Sequence, residues 1–253
     1  MISTIKLIQM FLLIILLLFL GLNPAWASSN ESDELVSWAS RGNFSRIKTF
    51  FSENGNQPEQ ETIQRAYLIA AKNGHDKIVR FFLDHGVNIE ARDEKGYTAL
   101  MHAAEDDREQ VMRVLLDAKA EINAENEEGM TPLLLASYKD RIEILPILID
   151  AGANVNAASK KGLTAVMLAA QNGFQIILHQ LIKAKADINS RAENGVTALM
   201  LAAQNGHQGI TRTLIASGAN INAEAENGAT ALLLAKRYNH KGVIDLLAQA
   251  GAR

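Results

Sequence analysis

The chain has no cysteine. That absence excludes disulfides, thiol chemistry and cysteine-ligated metal, and it leaves nothing to carry the lipid of a bacterial lipoprotein. Basic charge is not in surplus either. Setting aside Lys6, which lies in an apolar leader, 24 basic residues face 28 acidic ones, a net of −4, with no basic cluster. A partner of nucleic acid or anionic membrane is therefore not expected. The sequence also lacks G-x-S-x-G, H-E-x-x-H, a phosphate loop and G-x-G-x-x-G. No catalytic residue, metal ligand or cofactor is assigned, and an enzyme is not expected.

The leader is a different material from the rest. Lys6 precedes an apolar run over residues 10–20, Gly21 and Pro24 interrupt it, and Ala25-Trp26-Ala27 places small residues at −3 and −1. This is the three-part layout of a secretory signal peptide, residues 1–27, cleaved after Ala27. The run is shorter than the ~20 apolar residues of a comfortable membrane span, so no membrane association is expected after cleavage. Export without cysteine points to a periplasmic location.

What the sequence does contain is a strict repeat. Glycine stands at 96, 129, 162, 195 and 228, each 33 residues after the last, with Thr98, Thr131, Thr164, Thr197 and Thr230 two places on. The segments that follow, such as Thr197-Ala-Leu-Met-Leu-Ala-Ala, are small or unbranched and predict a short inner helix packed tightly between neighbours. That helix ends at Asn73-Gly74, Asn172-Gly173 and Asn205-Gly206, with Asp107, Asp140 and Asn239 in the same turn slot elsewhere. Both residue classes tolerate the positive φ of a helix end.

A second helix carries Ile78, Val111, Ile144, Ile177, Ile210 and Val243, with Phe82, Leu115, Leu148, Leu181, Leu214 and Leu247 four residues on. Such a stripe cannot be buried by one helix pair, only by stacking. Gly86, Gly152, Gly218 and Gly251 end the second helix; Lys119 and Lys185 stand in that place in two units, where strained or frayed ends are expected. Pro146 falls early in an outer helix, where a slight kink is expected. The connecting loops carry Asn88, Asn154, Asp187 and Asn220 and favour tight turns over regular strands.

The period, the G-x-T-[AP]-L core, as in Gly129-Met-Thr131-Pro132-Leu133, and closings such as Ala151-Gly-Ala-Asn-Val-Asn-Ala157 resemble the ankyrin repeat. The resemblance implies an all-α solenoid of stacked antiparallel helix pairs with projecting hairpin loops. Residues 62–253 would form six units, the last a truncated cap. Residues 28–61 would hold a flexible polar lead-in, a degenerate capping helix pair (Leu35, Val36, Trp38 and Ala39, then Ile47, Phe50 and Phe51) and a loop from 52 to 61. One departure is plain: the histidine that the T-P-L-H signature uses to tie adjacent loops is replaced by Met101, Leu134, Met167, Met200 and Leu233. Inter-loop ties are therefore expected to be weak.

The six histidines read as structural, since none has a second ligand at helical spacing. His75, His207 and His240 share one column; His102, which breaks the repeat by replacing leucine, is the exception that would carry a metal or catalytic role with the acidic run Glu105, Asp106, Asp107 and Glu109. The family resemblance implies instead a non-catalytic, monomeric module that binds another protein through its concave face and hairpin tips. The columns expected there are Tyr97, Met130, Leu163, Val196, Ala229; Glu105, Tyr138, Gln171, Gln204, Arg237; and Asp106, Lys139, Asn172, Asn205, Tyr238. The contact residues expected are Tyr97, Met130, Tyr138, Arg237, Tyr238, Glu105 and Asp106. An inhibitor, immunity or helper role toward an exported enzyme or toxin is the alternative within that class.

Overall fold

The computed structural model describes residues 25–53 and 58–253, and every element in them is helical apart from one isolated bridge, Ala158 to Thr164. Residues 1–24, most of the expected signal peptide, lie outside the described residues. None of the described helices is long and apolar enough to cross a membrane. The chain divides into two compact units, one ending at Asn88 and the other beginning at Ile89.

The first unit contains α1 (Ala25–Arg41), α2 (Phe44–Glu53), α3 (Gln60–Asn73) and α4 (Asp76–Asp84). The lead-in expected at 28–34 is helical, since α1 begins at Ala25. Leu35, Ala39, Ile47 and Phe50 are buried, and Tyr67 and Phe82 are fully buried in the same unit. Edge-on aromatic contacts join Phe51 to Phe50, Phe81 and Phe82 at ring separations of 5.8, 5.3 and 6.1 Å. Aromatic bulk thus does here what aliphatic stacking does in the second unit.

The second unit has five inner helices, α5 (Ala99–Glu105), α7 (Pro132–Tyr138), α9 (Ala165–Asn172), α11 (Ala198–Asn205) and α13 (Ala231–Arg237). Each is followed by an outer helix: α6 (Glu109–Asp117), α8 (Ile144–Asp150), α10 (Gln175–Lys183), α12 (Gln208–Ala216) and α14 (Lys241–Gln249). Successive inner helices pack side by side, and alanines such as Ala103, Ala136, Ala169, Ala202 and Ala235, all fully buried, permit that approach. The column from Val111 and Leu115 to Val243 and Leu247 is buried throughout. Each such side chain contributes about 1.5–3 kcal/mol on burial, and it does so only because a neighbouring unit covers it.

The recurring threonine caps each inner helix. The hydroxyls of Thr98, Thr131, Thr164, Thr197 and Thr230 accept the N–H three residues on, at 3.2 to 3.4 Å. A cap of this kind is worth about 1 kcal/mol, which matters for helices of only seven or eight residues. Asp107, Asp140 and Asn239 adopt positive φ, as their turn slot requires, and Lys119 and Lys185 do so at 68° and 63°. The two lysine ends are strained but not frayed: Ala120 N–H still bonds Leu115 O at 2.9 Å, and Ala186 N–H bonds Leu181 O at 3.0 Å.

The helix that holds Pro146 is short. Helix α8 spans seven residues and starts two places later than the nine-residue α6, α10 and α12. Proline offers no N–H to the carbonyl of Ile142. The Gln180 amide of α10 donates to that carbonyl at 3.0 Å in its place.

Candidate protein-contact surface

Each of the first three hairpins of the second unit is set by one side chain. Oδ1 of Asp93 accepts the N–H groups of Lys95 and Tyr97, both at 2.9 Å, and Asn126 Oδ1 holds Glu128 and Met130 in the same way and at the same distance. Ser159 Oγ accepts from Leu163 at 3.2 Å. These short polar side chains shape the turn by replacing the backbone acceptor an extended ladder would supply.

The hairpins are tied to one another, contrary to the weak coupling expected from the missing histidines. Backbone bonds run from Glu127, Lys160, Glu193 and Glu226 N–H to Lys95, Glu128, Lys161 and Asn194 O at 2.9 to 3.3 Å. The guanidinium groups of Arg92 and Arg191 reach the carbonyls of Glu125 and Glu224, both at 2.6 Å. A third series crosses at the loop bases: Glu90 Oε1 and the Oδ1 atoms of Asn123, Asn156, Asn189 and Asn222 accept backbone N–H groups from residues 31 places later. Backbone and asparagine thus supply the ties that the signature histidine supplies elsewhere. The signal was present in the sequence as asparagine or glutamate at 33-residue spacing from 90 to 222.

The close approach explains the glycine column. A Cβ on Gly129 would stand 2.7 Å from Lys160 N, and one on Gly162 would stand 2.9 Å from Glu193 N. The histidine column has a comparable cause. Nε2 of His75, His207 and His240 donates to the carbonyls of Ser40, Gln171 and Gln204 at 2.9 to 3.0 Å, each ring lying over the glycine that ends the preceding inner helix. Where that preceding residue is Asp107, Arg141 Nε makes the bond instead, to Glu105 O at 2.7 Å.

The expected contact residues fall into two groups. Tyr97 and Met130 are half-buried and pack on Met101, Ala124 and Leu135, so they brace the hairpins as well as edging the surface. Burial raises the Tyr97 phenol above its ordinary 10.0, helped by the carboxylates of Glu105, Glu128 and Asp93, while a hydrogen bond with Asn126 acts the other way. Tyr138 and Tyr238 are 48% and 49% exposed. Each lies near a cation, Lys139 Nζ 5.5 Å from one ring and the Arg237 guanidinium 6.0 Å from the other. Glu105 pairs with Lys139 at 3.3 Å, and Asp106 turns one carboxylate oxygen away from solvent.

Leu163 and Val196, from the first column expected on the concave face, line a groove of about 510 Å³ with Leu201 and Gln204. Lys161, Glu193 and Asn194 form its rim. Hairpin and inner-helix residues therefore share one face in this unit. His102 is buried and donates from Nε2 to Asp93 Oδ2 at 3.0 Å. Among the described residues no group of three or more histidines and carboxylates is placed to hold a metal ion.

A family model described as ankyrin repeats (3 copies) matches residues 26–126, 119–192 and 166–253. No curated protein is significantly similar to the chain.

Proposed function

Because the chain belongs to the ankyrin-repeat family, whose repeats are in general protein-interaction modules, we propose that it binds a partner protein through the hairpin and inner-helix face of its second unit. The carrying observation is the half-exposure of Tyr138 and Tyr238, each beside a cation, whereas the other exposed large apolar side chains among the described residues, Ile176 and Leu233, are aliphatic. Tyrosine beside a basic group is the composition that dominates protein contacts, since it offers large area at low entropic cost. Tyr97, Met130, Arg237, Glu105 and Asp106 complete the surface. The role is non-catalytic, and the protein acts as a monomer after export to the periplasm, the reading its apolar leader supports.

The test is comparative capture from the native cell envelope. Wild-type protein is expected to retain a specific partner that the Tyr138→Ala, Tyr238→Ala double variant loses, with both baits folded by circular dichroism. Equal capture by the two baits would remove this surface from the proposal. Fractionation of the native cells checks the location separately, the mature chain being expected in the periplasmic fraction.

A further inference from the structure

The first hairpin of the second unit carries a pair of residues that its sister hairpins do not have. His102 stands where Leu135, Leu168, Leu201 and Leu234 stand, and Asp93 where Asn126, Ser159, Ala192 and Ala225 stand. These two departures occur in one unit and meet at 3.0 Å. A carboxylate only accepts hydrogen bonds, so His102 Nε2 is the donor and the neutral tautomer is fixed. The pair replaces apolar packing with a polar contact in which His102 is only 8% exposed, a substitution that costs stability unless the contact is kept.

Asp93 is the hub. One oxygen holds the turn through Lys95 and Tyr97, the other holds the inner helix through His102, and the Tyr97 ring lies 5.1 Å from the imidazole. We propose that the Asp93–His102 pair is a proton-operated latch that fixes the first hairpin, and Tyr97 with it, onto α5 while Asp93 is charged and releases it when Asp93 is protonated. The charged and titratable groups around it are Lys95 and Tyr97 on the hairpin, Glu105 on α5, Glu128 on the next hairpin, and Lys139 of α7 through its pair with Glu105.

The direction follows from the two ionisations. A second proton on the imidazole leaves Nε2–H in place and adds attraction to the carboxylate, so the latch holds through the histidine range. Burial works to raise the Asp93 value, but the N–H groups of Tyr97 and Lys95 and the imidazole together hold it below its ordinary 3.8. A carboxyl so lowered stabilises the fold fully above its unfolded value and loses that contribution as pH falls through the folded one. The latch therefore opens only in the carboxylate range. The inference concerns the hairpin itself and stands whether or not Tyr97 touches a partner.

Amide hydrogen exchange on the full chain tests it, read as protection factors at Lys95 and Tyr97 against Glu128 and Met130. Wild-type protection at Lys95 and Tyr97 is expected to hold from neutral pH into the carboxylate range and then fall severalfold as pH drops below the ordinary 3.8 of Asp93, while Glu128 and Met130 change little. The Asp93→Asn, His102→Leu variant, which gives this unit the residues of its sisters, is expected to show no such local fall. A fall shared by both hairpins, or one that persists in the variant, would overturn the latch. If that variant does not fold, carboxyl-carbon titration of Asp93 in the wild-type chain decides: a value below 3.8 in step with the Lys95 and Tyr97 amides upholds it, and an ordinary value rejects it.

Discussion

Two stretches of the second unit share one backbone plan and differ in what fills it. At the hairpins of Tyr97 and Met130 the space beneath is occupied, those side chains lying on Met101, Ala124 and Leu135. At the hairpins of Leu163 and Val196 the same level is an open groove floored by Leu201. Side-chain size along one column accounts for the contrast, since residues 97, 130, 163, 196 and 229 run Tyr, Met, Leu, Val, Ala. The lesson is that a repeat array can hold its frame constant through backbone and glycine while one variable position grades its surface from packed to open.

The frame itself is the easiest part to break. Gly129→Ala would place a Cβ 2.7 Å from Lys160 N at a φ of 73°, whereas the nearest atom to a Cβ on Gly228 is the mobile Glu224 Oε1, at 3.5 Å. Urea unfolding should show a loss of about 3 kcal/mol for Gly129→Ala, from backbone clash added to strain, and about 1 kcal/mol for Gly228→Ala, from strain alone. Equal losses would mean that hairpin contact contributes nothing and that φ alone demands glycine.

Truncating the variable column should then separate the two stretches. Met130→Ala removes a side chain packed on the buried cluster and is expected to lower stability by about 2 kcal/mol; Val196→Ala, at a half-exposed groove wall, by less than about 1 kcal/mol. Matching denaturant midpoints for these two variants would deny that the first stretch is the better packed.

Much of this was legible without coordinates. The 33-residue period, the inner and outer stripes and the positive-φ slots depend on local periodicity and on the side chains themselves, and all appear where the sequence puts them. For the inter-hairpin ties only half of the pair shows: Glu90, Asn123 and their counterparts recur every 33 residues, but their partners are backbone groups 31 residues away, and a backbone donor leaves no mark in composition. The surroundings of Pro146 were not legible for a similar reason: Gln180 of the next pair supplies the donor that proline lacks. At the surface, the residue types of Tyr138 and Tyr238 suggested contact and both are half-exposed, while Tyr97 and Met130, chosen on the same grounds, are partly buried against the core cluster as well. Residue type indicates what a side chain could do, and only the size of its neighbours decides whether room remains for it to do so.

The smallest effect expected is also the sharpest for the size argument. Val196→Tyr would give the open stretch the residue that fills the first one. If side-chain volume alone separates the two, the ring has space in the groove of about 510 Å³ and its burial against Leu163 and Leu201 offsets the entropy of ordering it, so urea stability should change by less than about 1 kcal/mol in either direction. The same substitution in a packed site costs about 1–3 kcal/mol from overpacking. A loss in that range for Val196→Tyr would mean that the hairpins at 163 and 196 are held apart by their backbones and not by the residues between them, and the graded column would no longer explain the groove.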